Sequence, residues 1–401
     1  SYINALNWLK EEGVKIVNES WGGGPTYYAA IDVARDYYAN KYGMTFVKAS
    51  GGTTSADCYN SRAYPNCAHL CQSGNALCVG TANRGGSTLS PSYTDYSDDT
   101  SWLGSWFLNY DKVIDPGNEI VWDVERPDVV SDGVQAYAAD VHSGNNEKWT
   151  PVTGSSFATP VITGLLALEN EYCGTSEPLF HTTHRAIFRQ TAYNDQELEP
   201  DNYPAHPVGS QDYFSQYDFA GGTGIPWSKH LVGESNVDAR TPICTGNGGL
   251  NFVDAPEWME TSPPNDSSIV QHEDWSNVSQ PLRVADEMVV AKAWEIESPD
   301  AGTKIRANLS FTTCAPGGSA SKYENASDYL LPSVDFDLLL CSKVEEDCVI
   351  ASESAYDVNE GFFVKLENDY PDLNLYIMHP KETGCKQPAT GTFAWRAAWW
   401  R

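Results

Sequence analysis

Positive charge is scarce in this chain: 25 lysines and arginines stand against 54 aspartates and glutamates, a net charge of −29 over 401 residues. Such a surface repels phosphate backbones and anionic headgroups, which excludes nucleic acid and membrane surfaces as partners. Long apolar runs are absent as well. "VITGLLAL" at 161–168 is among the longest, far short of the roughly 20 residues that span a bilayer. No charged-then-apolar leader opens at Ser1, so the chain reads as soluble with a processed or trimmed start. The cluster Cys58, Cys67, Cys71 and Cys78 holds no CxxC pair, and its nearby histidine is His69 alone. That pattern argues against a zinc site. No internal repeat is visible.

Cysteine itself is not scarce. Ten residues fall in three groups: the four just named, then Cys173 and Cys244, then Cys314, Cys341, Cys348 and Cys385. Disulfides and an oxidising, extracellular setting follow. Residues 58, 67, 71 and 78 are expected to pair mostly with one another, because their spacing closes short loops. Sequons at Asn265, Asn277, Asn308 and Asn325 fit a secreted glycoprotein. A fifth at Asn18 is discounted because it follows a buried-looking strand. The acidity reads first as a solvated surface. Calcium is the alternative, with Asp95, Asp98 and Asp99, or Asp335 and Asp337, as candidate ligands; no other metal or cofactor is implied.

Periodicity divides the chain. A helix is predicted from Tyr2 to Glu12, with Ile3, Leu6 and Leu9 on one face and Gly13 as its stop. A short strand follows at 14–18, then the loop Trp21-Gly22-Gly23-Gly24-Pro25. A second helix runs from a Thr26 cap to Tyr42, and a second strand covers 44–49. Helix, strand, helix, strand at this spacing means parallel strands with right-handed crossovers. Ligands in such sheets sit at the carboxyl ends of the strands, where Ser20–Gly24 and Ser50–Gly52 fall. A helix is expected from Ser156 to about Tyr172, and another over "EPLFHTTHRAIFRQTA". From about Pro256 the period becomes two: Ile305, Ala307, Leu309 and Phe311 share one face, as do Val334, Phe336, Leu338 and Leu340. An antiparallel β-sandwich over 256–401 is predicted after an α/β unit over 1–255.

The stretch "TGSSFATP" at 153–160 carries the chemistry. Gly154 and Ser155 let the backbone come close to a substrate. Ser156 sits where helix amides point outward and the dipole is positive, which favours a developing oxyanion. Pro160 is tolerated near the start of a helix, where amides lack intrahelical partners. A serine in this place is ordinarily just an N-cap; the length of the motif argues for more.

That motif, Gly154-Ser155-Ser156-Phe157-Ala158-Thr159-Pro160 with Gly164 beyond, resembles the nucleophile signature of subtilisin-like serine proteases, with Ser155 in place of the usual Thr. "VKIVNESWGGG" and "MTFVKASGG" resemble the family's two substrate-binding segments, "RPDVVSDG" a further family segment, and "GNGGLN" its closing turn. The resemblance covers about residues 1–255. It implies a subtilisin-like parallel sheet with helices on both faces and Ser156 as nucleophile. It also implies a substrate strand added between Ser20, Trp21, Gly22 and Ala49, Ser50, Gly51. Gly52 falls at the oxyanion position, where the family usually carries Asn.

The family's Asp and His motifs should lie upstream of Val14, and neither is present in the thirteen residues there. No histidine replaces them: His69, His142, His181, His184, His206, His230, His272 and His379 carry no recognisable motif. His181 and His184, though on one helix face, lack a third ligand for a metal. Three readings stand open. One is a secreted endopeptidase acting on peptides or proteins, whose Asp and His, with the missing N-terminal strands, come from a companion polypeptide of the same precursor. The second is a pseudoprotease kept for binding or assembly. The third is a lectin-like or structural protein with the sandwich as its active part. A companion is expected to cover the strand at 14–18; a bare, exposed edge there would point to a truncated scaffold.

Overall fold

The computed structural model describes residues 2–21, 30–51, 71, 73–84, 99–101, 127–133, 136–139, 149–172, 181–193, 225–226, 267–274, 288–297, 299–311, 337–342, 348–352, 359–380 and 390–399. Its first half alternates helix and strand: α1 (Tyr2–Glu11), β1 (Ile16–Glu19), α2 (Ala30–Tyr42), β2 (Thr45–Ala49), β3 (Leu77–Arg84), β4 (Asp99–Ser101) and β5 (Val129–Asp132). β1, β2, β3 and β5 run parallel in one sheet, and β4 joins antiparallel at the end of β3. Two helices follow, α3 (Ser155–Tyr172) and α4 (His181–Thr191).

β1 begins two residues later than its apolar run suggests. The end of α1 consumes the backbone there: Gly13 N donates to Lys10 O at 3.1 Å and Val14 N to Leu9 O at 2.9 Å. Such a helix stop satisfies orphan carbonyls and delays the strand. Pairing with β2 then starts, Thr45 N donating to Lys15 O at 2.7 Å.

Both faces of the sheet are covered, as a parallel sheet requires. Phe46, Met44 and Cys78 pack with Leu6 of α1 and Ala34, Tyr37 and Tyr38 of α2. Val47, Leu77, Val79 and Val129 pack on the other face, with Ala158, Ile162 and Leu166 of α3 and Ala186, Ile187 and Phe188 of α4. Among the described residues, β1 pairs with β2 alone. Asn18 is exposed and Ile16 and Val17 are half-buried, so the expectation of a covered strand at 14–18 is not met among the described residues.

Two four-stranded antiparallel sheets form the second half. One has the order β10 (Ser267–Asp274), β17 (Thr390–Trp399), β12 (Thr303–Phe311), β15 (Asn359–Lys365). The other has β11 (Met288–Glu297), β16 (Asp372–Pro380), β13 (Asp337–Ser342), β14 (Cys348–Ser352). One apolar cluster holds Ile305, Leu309 and Phe311 of β12 with Phe362 of β15, and Leu338, Leu340, Leu375 and Ile377 of the other sheet. The alternation over 305–311 is as expected. β13 begins at Asp337, and Val334 and Phe336 lie outside the described residues. Short antiparallel pairs also form between β6 (Ala136–Ala139) and β7 (Trp149–Val152), and between β8 (Ala192–Tyr193) and β9 (Ile225–Pro226).

The sequon at Asn308 is corrected by the fold. Asn308 is 0% exposed on β12, paired on both sides by β15 and β17. A glycan has no room on that strand once the chain is folded. Asn265, Asn277 and Asn325 lie outside the described residues. Disulfides join Cys71 to Cys78 and Cys341 to Cys348, the second pair facing each other across β13 and β14. Cys58 and Cys67 lie outside the described residues.

α4 ties the two halves together. Arg185 donates to Gly74 O and to Phe311 O of β12. Arg189 lies 3.2 Å from the buried Asp128. Asp128 also accepts from Cys78 N at 2.7 Å and from Asn359 Nδ2 of β15 at 3.3 Å. Buried charge needs this density of partners to be tolerated.

Candidate active site

α3 opens at Ser155, one residue ahead of the expected start. Gly154 adopts φ 153° just before it, a backbone angle L side chains rarely take. Gly154 N donates to Gly133 O at 2.8 Å, and Phe157 N to Gly154 O at 2.9 Å. A Cβ on Gly133 would lie 2.8 Å from Gly154 O and 2.7 Å from Thr81 Cγ2. The "SDG" and "TGSS" segments therefore meet only because residue 133 has no side chain.

Ser155, not Ser156, is the buried member of the pair. Its Oγ accepts from Gly51 N and donates to Gly51 O, both at 3.0 Å, and the residue is 3% exposed. Ser156 is half-buried at the mouth of the helix. Thr159 Oγ1 bonds Ser155 O at 2.7 Å. One turn on, Thr163 Oγ1 bonds Thr159 O at 2.9 Å and Asn18 Oδ1 at 3.0 Å, and Asn18 Nδ2 donates to Ser20 Oγ at 2.9 Å. The first turns of α3 are thus fastened to both segments predicted to flank a substrate. Ala49 and Ser50 are buried beside them, with Ser50 N donating to Val79 O at 3.0 Å. Gly22 and Gly52 lie outside the described residues, as do Asp95, Asp98 and Asp335.

The opposite face of β1 and β2 holds a charged cluster that periodicity did not reveal. Glu19 and Lys48 are register partners, and both are buried. Arg35 Nε reaches Glu19 Oε2 at 2.6 Å and Arg35 Nη1 reaches Asp32 Oδ1 at 2.7 Å. Tyr2 OH donates to the other Glu19 oxygen. Lys48 donates to the Trp21 carbonyl and stands 4.9 Å from that ring's centroid. Arg35 lies 5.5 Å from the same centroid, and Tyr2 meets the ring edge-on at 6.0 Å. Burial pushes the Lys48 ammonium down to about 8, helped by Arg35 and opposed by Glu19 and Asp32. Burial raises the Tyr2 phenol. The available signal was a glutamate and a lysine inside otherwise apolar strands.

The histidines with described side chains serve elsewhere. His184 Nδ1 lies 2.7 Å from Glu169 Oε2, and Asn170 Nδ2 lies 3.3 Å from His184 Nε2. Glu169 and His184 are 0% exposed. Burial raises the Glu169 carboxyl, and His184 opposes that. Glu169 is thirteen residues beyond Ser156 on α3, about 20 Å along the axis. His181 is buried on the same helix. Among the described residues, no group of three or more His, Cys, Asp or Glu side chains could hold a metal ion.

The model of the subtilase family matches residues 1–210. No curated protein matches the chain. Among solved structures, the self-cleaved protease domain of PatA is 17% identical with TM-score 0.31, covering 48% of this chain and 59% of its own. The PatG macrocyclase in complex with peptide is 15% identical with TM-score 0.34, covering 58% and 56%. Tripeptidyl peptidase 2 is 10% identical with TM-score 0.30, covering 98% of this chain and 36% of its own. The chain thus spans somewhat over half the length of the first two.

Proposed function

The chain belongs to the subtilase family, and from that premise we propose that it is the nucleophile-bearing part of an extracellular serine endopeptidase. Ser156 is the nucleophile: its Oγ adds to the carbonyl carbon of a peptide and its proton passes to a base. The amine leaves with that proton, and water then releases the acyl group. Amides at the start of α3 stabilise the oxyanion. The substrate strand lies between Ser20–Gly22 and Ala49–Gly51. One observation carries the reading: the double hydrogen bond of Ser155 Oγ to Gly51, at 3.0 Å each way, which fastens the Ser156 turn to a substrate segment.

The base and its carboxylate come, in this reading, from a companion polypeptide of the same precursor docked against β1. The outer side of α3 supports a docked partner: Val161 is 44% and Leu168 50% exposed, and Pro160, Gly164 and Ala167 are exposed beside them. An exposed patch of apolar side chains on a helix is a surface that another chain can cover. Residues 1–255 form the peptidase unit and 256–401 a β-sandwich, supported by the apolar cluster shared between the two antiparallel sheets. The two disulfides are compatible with an extracellular setting, and among the described residues no helix is long and apolar enough to cross a membrane.

A second reading, a pseudoprotease serving binding or assembly, is favoured by Gly52 at the position where the family usually carries the oxyanion Asn. A fluorophosphonate probe separates the two. Covalent labelling at Ser156, lost in Ser156→Ala, supports the peptidase. No labelling, alone or with the upstream polypeptide added, supports the pseudoprotease.

A further inference from the structure

A buried lysine that bonds no carboxylate requires a reason. Lys48 is 2% exposed, and taking an ammonium out of water is expensive unless it is paired. Carboxylates are close by, but Arg35 and Tyr2 occupy Glu19, and Arg35 holds Asp32. The Lys48 ammonium instead donates to the Trp21 carbonyl and faces the Trp21 ring at 4.9 Å. In an extended segment, successive residues point their N–H and C=O groups to opposite edges. If Ser20 bonds an incoming strand, the Trp21 carbonyl faces away from it, and that is the carbonyl Lys48 holds.

Resting on the peptide-binding reading of Ser20–Gly22 above, we propose that Lys48 is a positioning residue for the substrate strand. Its ammonium grips the reverse side of the segment at Trp21, so that Ser20 presents its backbone to the peptide. Trp21 is 41% exposed; without Lys48, its carbonyl and ring lose the contacts that anchor them to β2. The charged and titratable groups around Lys48 are Tyr2 on α1, Glu19 on β1, and Asp32 and Arg35 on α2. With the ammonium pushed down to about 8, the grip on the ring weakens as pH rises through that value, and peptide binding weakens with it.

The test measures binding of fluorescein-labelled oxidised insulin B chain, an unfolded peptide of mixed sequence, by anisotropy. The full chain carries Ser156→Ala, so that nothing is cleaved. Lys48→Met is expected to bind about tenfold more weakly at neutral pH, the scale of one charge-assisted hydrogen bond. Lys48→Arg should restore binding and remove the alkaline decline, because guanidinium stays charged. Urea unfolding of Lys48→Met is measured at the same pH, and a variant that is folded under the binding conditions excludes unfolding as the cause of weak binding. Equal peptide affinity of parent and Lys48→Met across pH overturns the proposal and leaves the peptide-binding reading standing. Absence of peptide binding by the parent, with no probe labelling of the Ser156 chain, overturns both.

Discussion

Ser155→Ala removes one oxygen from the candidate site and tests whether that oxygen fastens the Ser156 turn. In the folded chain this Oγ both accepts from Gly51 N and donates to Gly51 O, at 3.0 Å each, and both residues are buried. Each hydrogen bond is worth about 1 kcal/mol net, and a buried amide left without an acceptor costs about 1–3 kcal/mol more. The expected loss is therefore about 3–5 kcal/mol in urea unfolding. Hydrogen exchange gives a local reading of the same contact: the Gly51 amide should lose its protection, while amides of β12 keep theirs. The Ser156 turn loosens as well, and probe labelling should slow about 10- to 100-fold, as small misplacements of reacting groups do. Ser155→Thr keeps the γ-oxygen and should stay near the parent in all three measurements. A Ser155→Ala chain that unfolds within about 0.5 kcal/mol of the parent and retains Gly51 protection would refute the role given to this contact.

Asp128→Ala should destabilise by about 3–5 kcal/mol, because it removes the buried carboxylate shared by Arg189, Cys78 N and Asn359 Nδ2; adding Arg189→Met should recover part of that loss in urea titrations. Gly133→Ala should cost about 1–3 kcal/mol, the scale of overpacking, and slow probe labelling, since the new Cβ would sit 2.8 Å from Gly154 O; unchanged labelling would show that the turn does not depend on this approach. Glu169 binds its proton more tightly folded than unfolded, since burial raises its carboxyl. Stability should therefore fall as pH rises from the ordinary glutamate range through the raised native value, and Glu169→Gln should flatten that limb in thermal unfolding across pH.

Local chemistry made much of the fold readable before any contact was known. Three-residue and four-residue spacing placed α1 and α3, the Gly-Ser-Ser sequence placed Ser156 at a helix mouth, and alternation placed Ile305, Leu309 and Phe311 on one buried face. These features depend on residues a few positions apart, so the sequence carries them directly. Other features needed the fold. Ser155 and Gly51 are 104 positions apart and Asp128 and Asn359 are 231 apart. Such contacts exist only once strand order and register bring distant backbone together, and no local period encodes that order. Lys48 was readable as a charge inside a strand, but its hold on Trp21 depends on which carboxylates α2 had already occupied through Arg35. Asn308 shows the same limit: alternation assigns it to the face of β12 opposite the apolar one, and only the packing of α4 on β12 leaves that second face no solvent.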